Sequence, residues 1–133
     1  MANEDGTVTV GIDRPDYYNQ CWFTDGYFDF VPHFLDGLAA LPDLAPSDLD
    51  HLLSSTSIVQ DVHYQALSIR YHTFDDQAEE TLRITFQPAA VTAGGVDLPA
   101  TSGPPVGSGW FFDNASRVLK VAHPSPDVEI RGR

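Results

Sequence analysis

The feature that most constrains the fold of this chain is an alternation of apolar and polar side chains that begins after Ser57. Three runs show this period of two. Successive side chains of a β-strand point to opposite faces, so the pattern predicts three amphipathic strands. The residues that share one face of each predicted strand are Ile58, Gln60, Val62 and Tyr64 in the first, Leu67, Ile69, Tyr71 and Thr73 in the second, and Leu82, Ile84 and Phe86 in the third.

Turn-forming residues separate further short apolar runs toward the C-terminus. Gly94-Gly95 predicts one turn, residues 113–116 predict a hairpin connection, and residues 128–130 form a last short strand. Short strands separated by polar turns are typical of an antiparallel sandwich. We therefore predict a mostly β fold, with an antiparallel β-sandwich over residues 57–133. Its expected core is Ile69, Tyr71, Leu82, Ile84, Phe86, Leu119 and Val121.

The first 56 residues form an aromatic and acidic strip with a different pattern. Apolar positions from Phe30 to Leu41 follow helical spacing, which predicts a helix near residues 31–41. A sequence resembling a capping box at 47–50 precedes further leucines and predicts a second short helix over 48–54. The chain of 133 residues is near the usual size of one domain. We predict a single domain, 1–133, with two short N-terminal helices before the sandwich.

The charge balance excludes several classes of partner. The formal net charge is -12, and residues 1–51 hold ten acids and one base. This charge repels phosphate backbones and anionic lipids, so we expect neither a nucleic-acid nor a membrane partner. One cysteine, Cys21, cannot form an internal disulfide, and we expect no cofactor. Residues 1–6 lack the basic and apolar segments of a secretory signal, which leaves localisation open.

Aromatic and acidic residues of the strip are the first candidates for ligand binding. Asp25 and Asp29 lie four residues apart beside Trp22 and Tyr27, and Trp110 adds a further ring. Sites that act on sugars combine two carboxylates with aromatic platforms. The same carboxylates are also explained by a solvated acidic surface in which they have no catalytic or binding role. We therefore name these five residues as candidate ligand-binding residues and assign no catalytic residue and no metal site.

Histidines and paired acids in the strand region have simpler interpretations. His63 and His72 could lie opposite or diagonal to each other across a hairpin whose turn is near residues 65–66. The alternation of those strands also places both histidines on solvent faces. Asp75-Asp76 and Glu79-Glu80 flank a turn without the spacing of a calcium loop, so we expect a solvated turn there.

Seven stretches of the chain carry a resemblance to a known family. The residues are 22–35, 39–42 and 50–59, followed by matching patterns at 71–75, 82–88, 91–95 and 118–123. Over roughly residues 20–130 the chain resembles the C-terminal part of large bacterial glycoside-hydrolase-like proteins, in which a β-sandwich follows a helical (α/α) toroid. The resemblance implies an accessory domain whose aromatic N-terminal segment would close against a catalytic domain. It carries over no catalytic residue.

Three functions remain open at this stage. The first is a non-catalytic, carbohydrate-associated accessory module, with a carbohydrate or an adjoining catalytic domain as its partner. The second is a structural or protein-interaction domain that packs through its aromatic N-terminal strip, with a homo-oligomer as one form. The third is a small acidic hydrolase that uses Asp25 and Asp29. We favour the accessory module, because no paired acid and nucleophile lie in a recognisable pocket-forming pattern.

Overall fold

The computed structural model describes residues 37, 38 and 40–133, and residues 38–133 form one compact unit. A short 3-10 helix, Pro42–Leu44, precedes the strands. The described residues contain nine strands: β1 His51–Ser55, β2 Val59–Gln65, β3 Ser68–Thr73, β4 Ala78–Arg83, β5 Pro88–Ala93, β6 Val96–Asp97, β7 Gly109–Asp113, β8 Val118–His123 and β9 Asp127–Gly132.

The strands form two sheets whose neighbours are all antiparallel. One has four strands in the order β1-β4-β8-β7, and the other has five in the order β2-β3-β9-β5-β6. Both sheets contribute side chains to a single hydrophobic core, as the two layers of a β-sandwich do. The predicted mostly β, antiparallel fold over residues 57–133 is therefore confirmed.

All seven residues predicted for the core are buried. Ile69, Leu82 and Leu119 have no exposed surface, and Phe86 is 6% exposed. Phe86 lies beyond the end of β4, where its ring packs so closely on Gly132 that a Cβ there would lie 2.5 Å from a ring carbon. Glycine is therefore required at position 132, because any larger residue would displace the aromatic ring.

The predicted helix over residues 48–54 is wrong, because strand β1 occupies most of that range. The leucines of the predicted helix do not share a buried face, because Leu49 is 60% exposed whereas Leu53 is buried. The backbone pairs with β4 instead, with a bulge between Leu52 and Ser54. The Asp50 side chain accepts a hydrogen bond from the Thr85 backbone N–H at 2.6 Å rather than capping a helix. Tertiary pairing here outweighs a weak local preference.

The predicted face of β2 is wrong at its beginning. A bulge lies between Val59 and Asp61, so the alternation changes face there. Val59 and Val62 pack against the core, whereas Ile58 is 69% exposed. After the bulge Val62 keeps the predicted face, but Tyr64, which lies opposite Ile69 of β3, is 44% exposed and Leu67 is 52% exposed, so the predicted apolar face is wrong for these two residues.

The predicted turns and the last strand are present. Gly94 and Gly95 connect β5 to β6 with φ angles of 55° and 78°, a left-handed conformation that suits glycine. Residues 114–117 connect β7 to β8, and β9 contains the predicted strand at 128–130. Most of the predicted helix at 31–41 lies outside the described residues and stays a prediction.

Candidate functional site

The solvent side of the five-stranded sheet carries a row of charged side chains on its three neighbouring strands β2, β3 and β9. Alternation turns Ile69, Tyr71, Val128 and Ile130 inward. The residues between them point outward and line a depression of about 300 Å³. We call this depression the polar recess; its charged and imidazole side chains are Asp61, His63, Arg70, His72, Asp127, Glu129 and Arg131.

Each histidine of the polar recess has a carboxylate partner. His63 Nε2 lies 2.9 Å from Asp61 Oδ2 on the same strand, and His72 Nδ1 lies 2.7 Å from Asp127 Oδ1 on β9. The register places His63 opposite Arg70 and His72 opposite Asp61. The two histidines are therefore diagonal neighbours on the solvent face, as the sequence predicts.

Glu129 lies between two guanidinium groups. Nε and Nη2 of Arg70 both donate to Glu129 Oε1, at 3.0 and 2.9 Å, and Arg131 Nε lies 3.2 Å from Oε2. The hydrogen bonds from Arg70, together with the charge of Arg131, lower the pKa of Glu129 below its ordinary value. The three side chains thereby restrain one another, and both arginines stay more than half exposed.

The polar recess is suited to hydrogen bonding with a nearly uncharged ligand. It presents three carboxylates and two guanidinium groups, so with neutral imidazoles its charges almost cancel. The carboxylates supply acceptors and the arginines supply donors. Tyr71 also lines the recess, but its hydroxyl is directed into the core, toward Glu80. The recess therefore offers hydrogen bonds without an exposed aromatic platform.

A second polar cluster lies inside the sandwich, with Glu80 of β4 at its centre. Glu80 is 2% exposed. Ser55 Oγ donates to Glu80 Oε1 at 2.8 Å, Tyr71 OH donates to Oε2 at 3.0 Å, and His123 Nε2 lies 2.8 Å from Oε2. The Tyr71 and His123 rings meet edge to face, with centroids 6.1 Å apart. We call these four residues the buried cluster.

The buried cluster shifts the titration of two of its members. Burial alone would lower the pKa of His123, but the hydrogen bond and charge of Glu80, with smaller contributions from the backbone of Ser125 and Asp76, raise it above its ordinary value. Burial, followed by the negative charge of Glu80, raises the pKa of Tyr71 well above its ordinary value. Glu80 therefore makes the protonated form of His123 more favourable than it is in an isolated histidine.

The sequence interpretation of Glu79-Glu80 as part of a solvated turn is wrong for Glu80. The alternation Ala78, Glu80, Leu82 places this carboxylate on the inward side of β4. The run Leu119, Val121, His123 places the imidazole inward in the same way. That inward position within an otherwise apolar alternation is the signal by which the sequence could have identified the cluster.

Of the five predicted ligand-binding residues, Trp110 is the one within the described part of the chain. Its ring packs against the core and is half-buried, and its Nε1–H donates to the Leu98 carbonyl at 3.1 Å. It lines a separate cleft of about 240 Å³ beside Asp97 and Ala100. Trp22, Asp25, Tyr27 and Asp29 lie outside the described residues, as does the aromatic strip, so their roles stay predictions.

Two observations on the described residues concern metals and membranes. No three His, Cys, Asp or Glu side chains of residues 37, 38 and 40–133 are grouped so that they could hold a metal ion. In the same part of the chain, no helix is both long and apolar enough to cross a membrane.

Comparisons of the chain with protein-family models, with curated proteins and with solved structures find no match. The resemblance to glycoside-hydrolase-like proteins therefore stays a prediction. The polar recess and the buried cluster are interpreted below from their own chemistry.

Proposed function

We propose that this chain is a non-catalytic, carbohydrate-associated accessory module of the β-sandwich type, and that it binds a neutral glycan in the polar recess. The observation that carries the proposal is the arrangement of Glu129 between Arg70 and Arg131. It restrains planar donors and acceptors on a rigid strand surface before any ligand arrives. Restraint of this kind lowers the entropy cost of binding.

Sugar hydroxyl groups donate and accept hydrogen bonds at the same time, so a glycan site needs both kinds of partner close together. Arg70 uses Nε and Nη2 toward Glu129, which leaves its remaining N–H groups for a ligand. The Asp127 carboxylate, 74% exposed, supplies acceptors next to them. Adjacent hydroxyls of one sugar ring could use both kinds of partner.

The charges of the polar recess support a neutral ligand over an anionic one. A phosphate or uronate would approach the carboxylates of Asp61, Asp127 and Glu129 on a chain of net charge -12. Because the recess lacks an exposed ring for stacking, affinity depends on hydrogen bonds of about 1 kcal/mol each. Because the lost translational and rotational freedom of the ligand opposes these bonds, we expect weak binding, with a dissociation constant on the order of 1 mM or higher.

Affinity gel electrophoresis of the full chain in soluble neutral polysaccharides tests the proposal. We expect at least one β-glucan, xylan or mannan to retard the wild-type chain, and Arg70→Gln to abolish the retardation. Lys120→Gln is the matched control, because it removes one positive charge from an exposed position on the other sheet. The proposal is wrong if no polysaccharide retards the wild type, or if Arg70→Gln and Lys120→Gln migrate alike.

A further inference from the structure

The buried cluster places a carboxylate, an imidazole and a phenol where the two sheets meet. Glu80 and His123 belong to the four-stranded sheet, and Tyr71 belongs to the five-stranded sheet. The Tyr71–Glu80 hydrogen bond, 3.0 Å long, therefore connects the two layers. Neither Glu80 nor His123 exposes any of its side chain. An ion pair in this position depends on both of its charges, since an unpaired buried charge is strongly unfavourable.

We propose that the buried cluster is a pH-sensitive link between the two sheets. The link stabilises the contact between the sheets while His123 carries its second proton, and it is weaker when that proton is lost. Loss of the proton to solvent leaves neutral imidazole beside an ionised Glu80. The carboxylate then keeps hydrogen bonds from Ser55 and Tyr71 but loses its counter-charge. This inference does not depend on the proposed function.

Few other titratable groups face His123. From β4, Glu79 lines the cleft of about 610 Å³ that His123 also lines, and from the preceding loop the Asp76 backbone contributes to the titration of the imidazole. Lys120 of β8 lines a smaller cleft with Glu80 and Glu79. The loop over residues 99–108 contributes no charged side chain. Glu80 is therefore the charge that dominates the imidazole.

The direction of the pH dependence follows from linkage. A histidine whose folded pKa lies above its unfolded value, about 6.5, stabilises the fold fully below that value. The stabilisation is lost as the pH rises through the folded pKa. The phenol of Tyr71 acts in the same direction only above about pH 10, the ordinary value for tyrosine. The interval from about pH 6.5 to 9 therefore excludes Tyr71, and comparison with variants separates His123 from the other histidines.

Urea unfolding of the full chain between pH 6 and pH 9 tests the link. We expect the wild-type unfolding constant to increase with pH, at most by about tenfold per pH unit, the limit for one linked proton. Glu80→Gln keeps the shape of the side chain and removes its charge, so we expect a much smaller pH dependence. Glu79→Gln removes the same charge from the neighbouring exposed residue and should keep the wild-type dependence.

His63→Gln is a second control, because it removes an exposed histidine that is also paired with an aspartate. It too should keep the wild-type pH dependence. The proposal is overturned if the wild-type unfolding constant does not increase over this interval, or if Glu80→Gln depends on pH as strongly as the wild type.

A measurement on the wild-type chain covers the case in which Glu80→Gln does not fold. Proton NMR of the histidine Cε1–H signals gives the titration of each imidazole directly. We expect the midpoint of His123 to lie above about 6.5, the ordinary histidine value. A midpoint below that value contradicts the proposal.

Discussion

The polar recess and the buried cluster each contain an imidazole beside a carboxylate, in opposite surroundings. His72 and Asp127 approach to 2.7 Å on the sheet surface with 42% and 74% of their side chains exposed. His123 and Glu80 approach to 2.8 Å with none exposed. Water screens the first pair and leaves it replaceable by a ligand, whereas burial makes the second pair indispensable to the packing around it. Distance alone therefore does not distinguish a binding surface from a structural link.

The largest expected effect is the loss of Glu80. Glu80→Ala leaves His123 and Tyr71 without their common partner inside the sandwich. Breaking a buried pair in this way costs about 3–5 kcal/mol in free energy of unfolding. Urea denaturation measures the difference, and Glu79→Ala, at an exposed neighbour, should stay within about 0.5 kcal/mol of wild type. A cost below about 1 kcal/mol for Glu80→Ala would mean that the buried pair contributes no more to stability than an exposed pair does, which contradicts the comparison.

A pair of tyrosines gives the next contrast. The Tyr71 hydroxyl donates to a buried carboxylate, whereas the Tyr64 hydroxyl, on a side chain 44% exposed overall, accepts from the Leu52 backbone N–H at 3.0 Å. We expect Tyr71→Phe to lower the free energy of unfolding by about 1.5–3 kcal/mol, the range for a hydrogen bond to a charged group. Tyr64→Phe should cost about 0.5–1 kcal/mol. Equal costs would contradict the contrast between buried and exposed bonds.

Acidification tests the surface side of the comparison. Because the pKa of Glu129 is lowered in the folded chain, this residue stabilises the fold at pH values above the ordinary glutamate pKa. The stabilisation is lost as the pH falls through the folded pKa. We expect a loss of less than about 1 kcal/mol between roughly pH 5 and 3, since the arginine partners are exposed. Glu129→Gln should reduce this loss in pH-dependent urea unfolding. An unchanged acid dependence in Glu129→Gln would show that the recess is not linked to folding at all.

The substitution Arg70→Gln should have the smallest effect on stability and should abolish binding. Arg70→Gln should change the free energy of unfolding by no more than about 0.5 kcal/mol, as surface substitutions usually do. Its binding to a neutral polysaccharide should nevertheless disappear. Thermal unfolding and gel retardation of the same sample measure the two quantities. A loss of binding that is matched by a large loss of stability would mean that Arg70 acts through the fold.

Much of the sandwich could be predicted because the period of two is strong where strands pair regularly. The spacing of Ile69, Tyr71 and Leu82 predicts that they are buried, and the pair Gly94-Gly95 predicts a turn; both predictions are confirmed. These assignments depend on local sequence alone, which is why they hold. Strand β1 could not be found in this way, because its pairing with β4 involves residues about 30 positions away.

The site was harder to predict than the fold. Arg70 lies 59 positions from Glu129 in the sequence, and the order of strands β2-β3-β9 that brings Arg70 next to Asp127 and Glu129 is not contained in any local pattern. The bulge in β2 likewise changes the face of Ile58 without a distinctive residue at that position. Glu80 was missed for a different reason: a solvated turn is the usual place for two adjacent glutamates.

Chemical-shift mapping by NMR tests the central claim most directly, because it compares every backbone amide in one titration. The full chain would be titrated with an oligosaccharide of whichever neutral polysaccharide retards it most. We expect the largest shifts at outward positions of β2, β3 and β9, including Arg70, His72 and Glu129, with little change around Glu80. No shifts, or shifts confined to Trp110 or to Trp22 and Tyr27, would contradict the assignment of the polar recess as the glycan site.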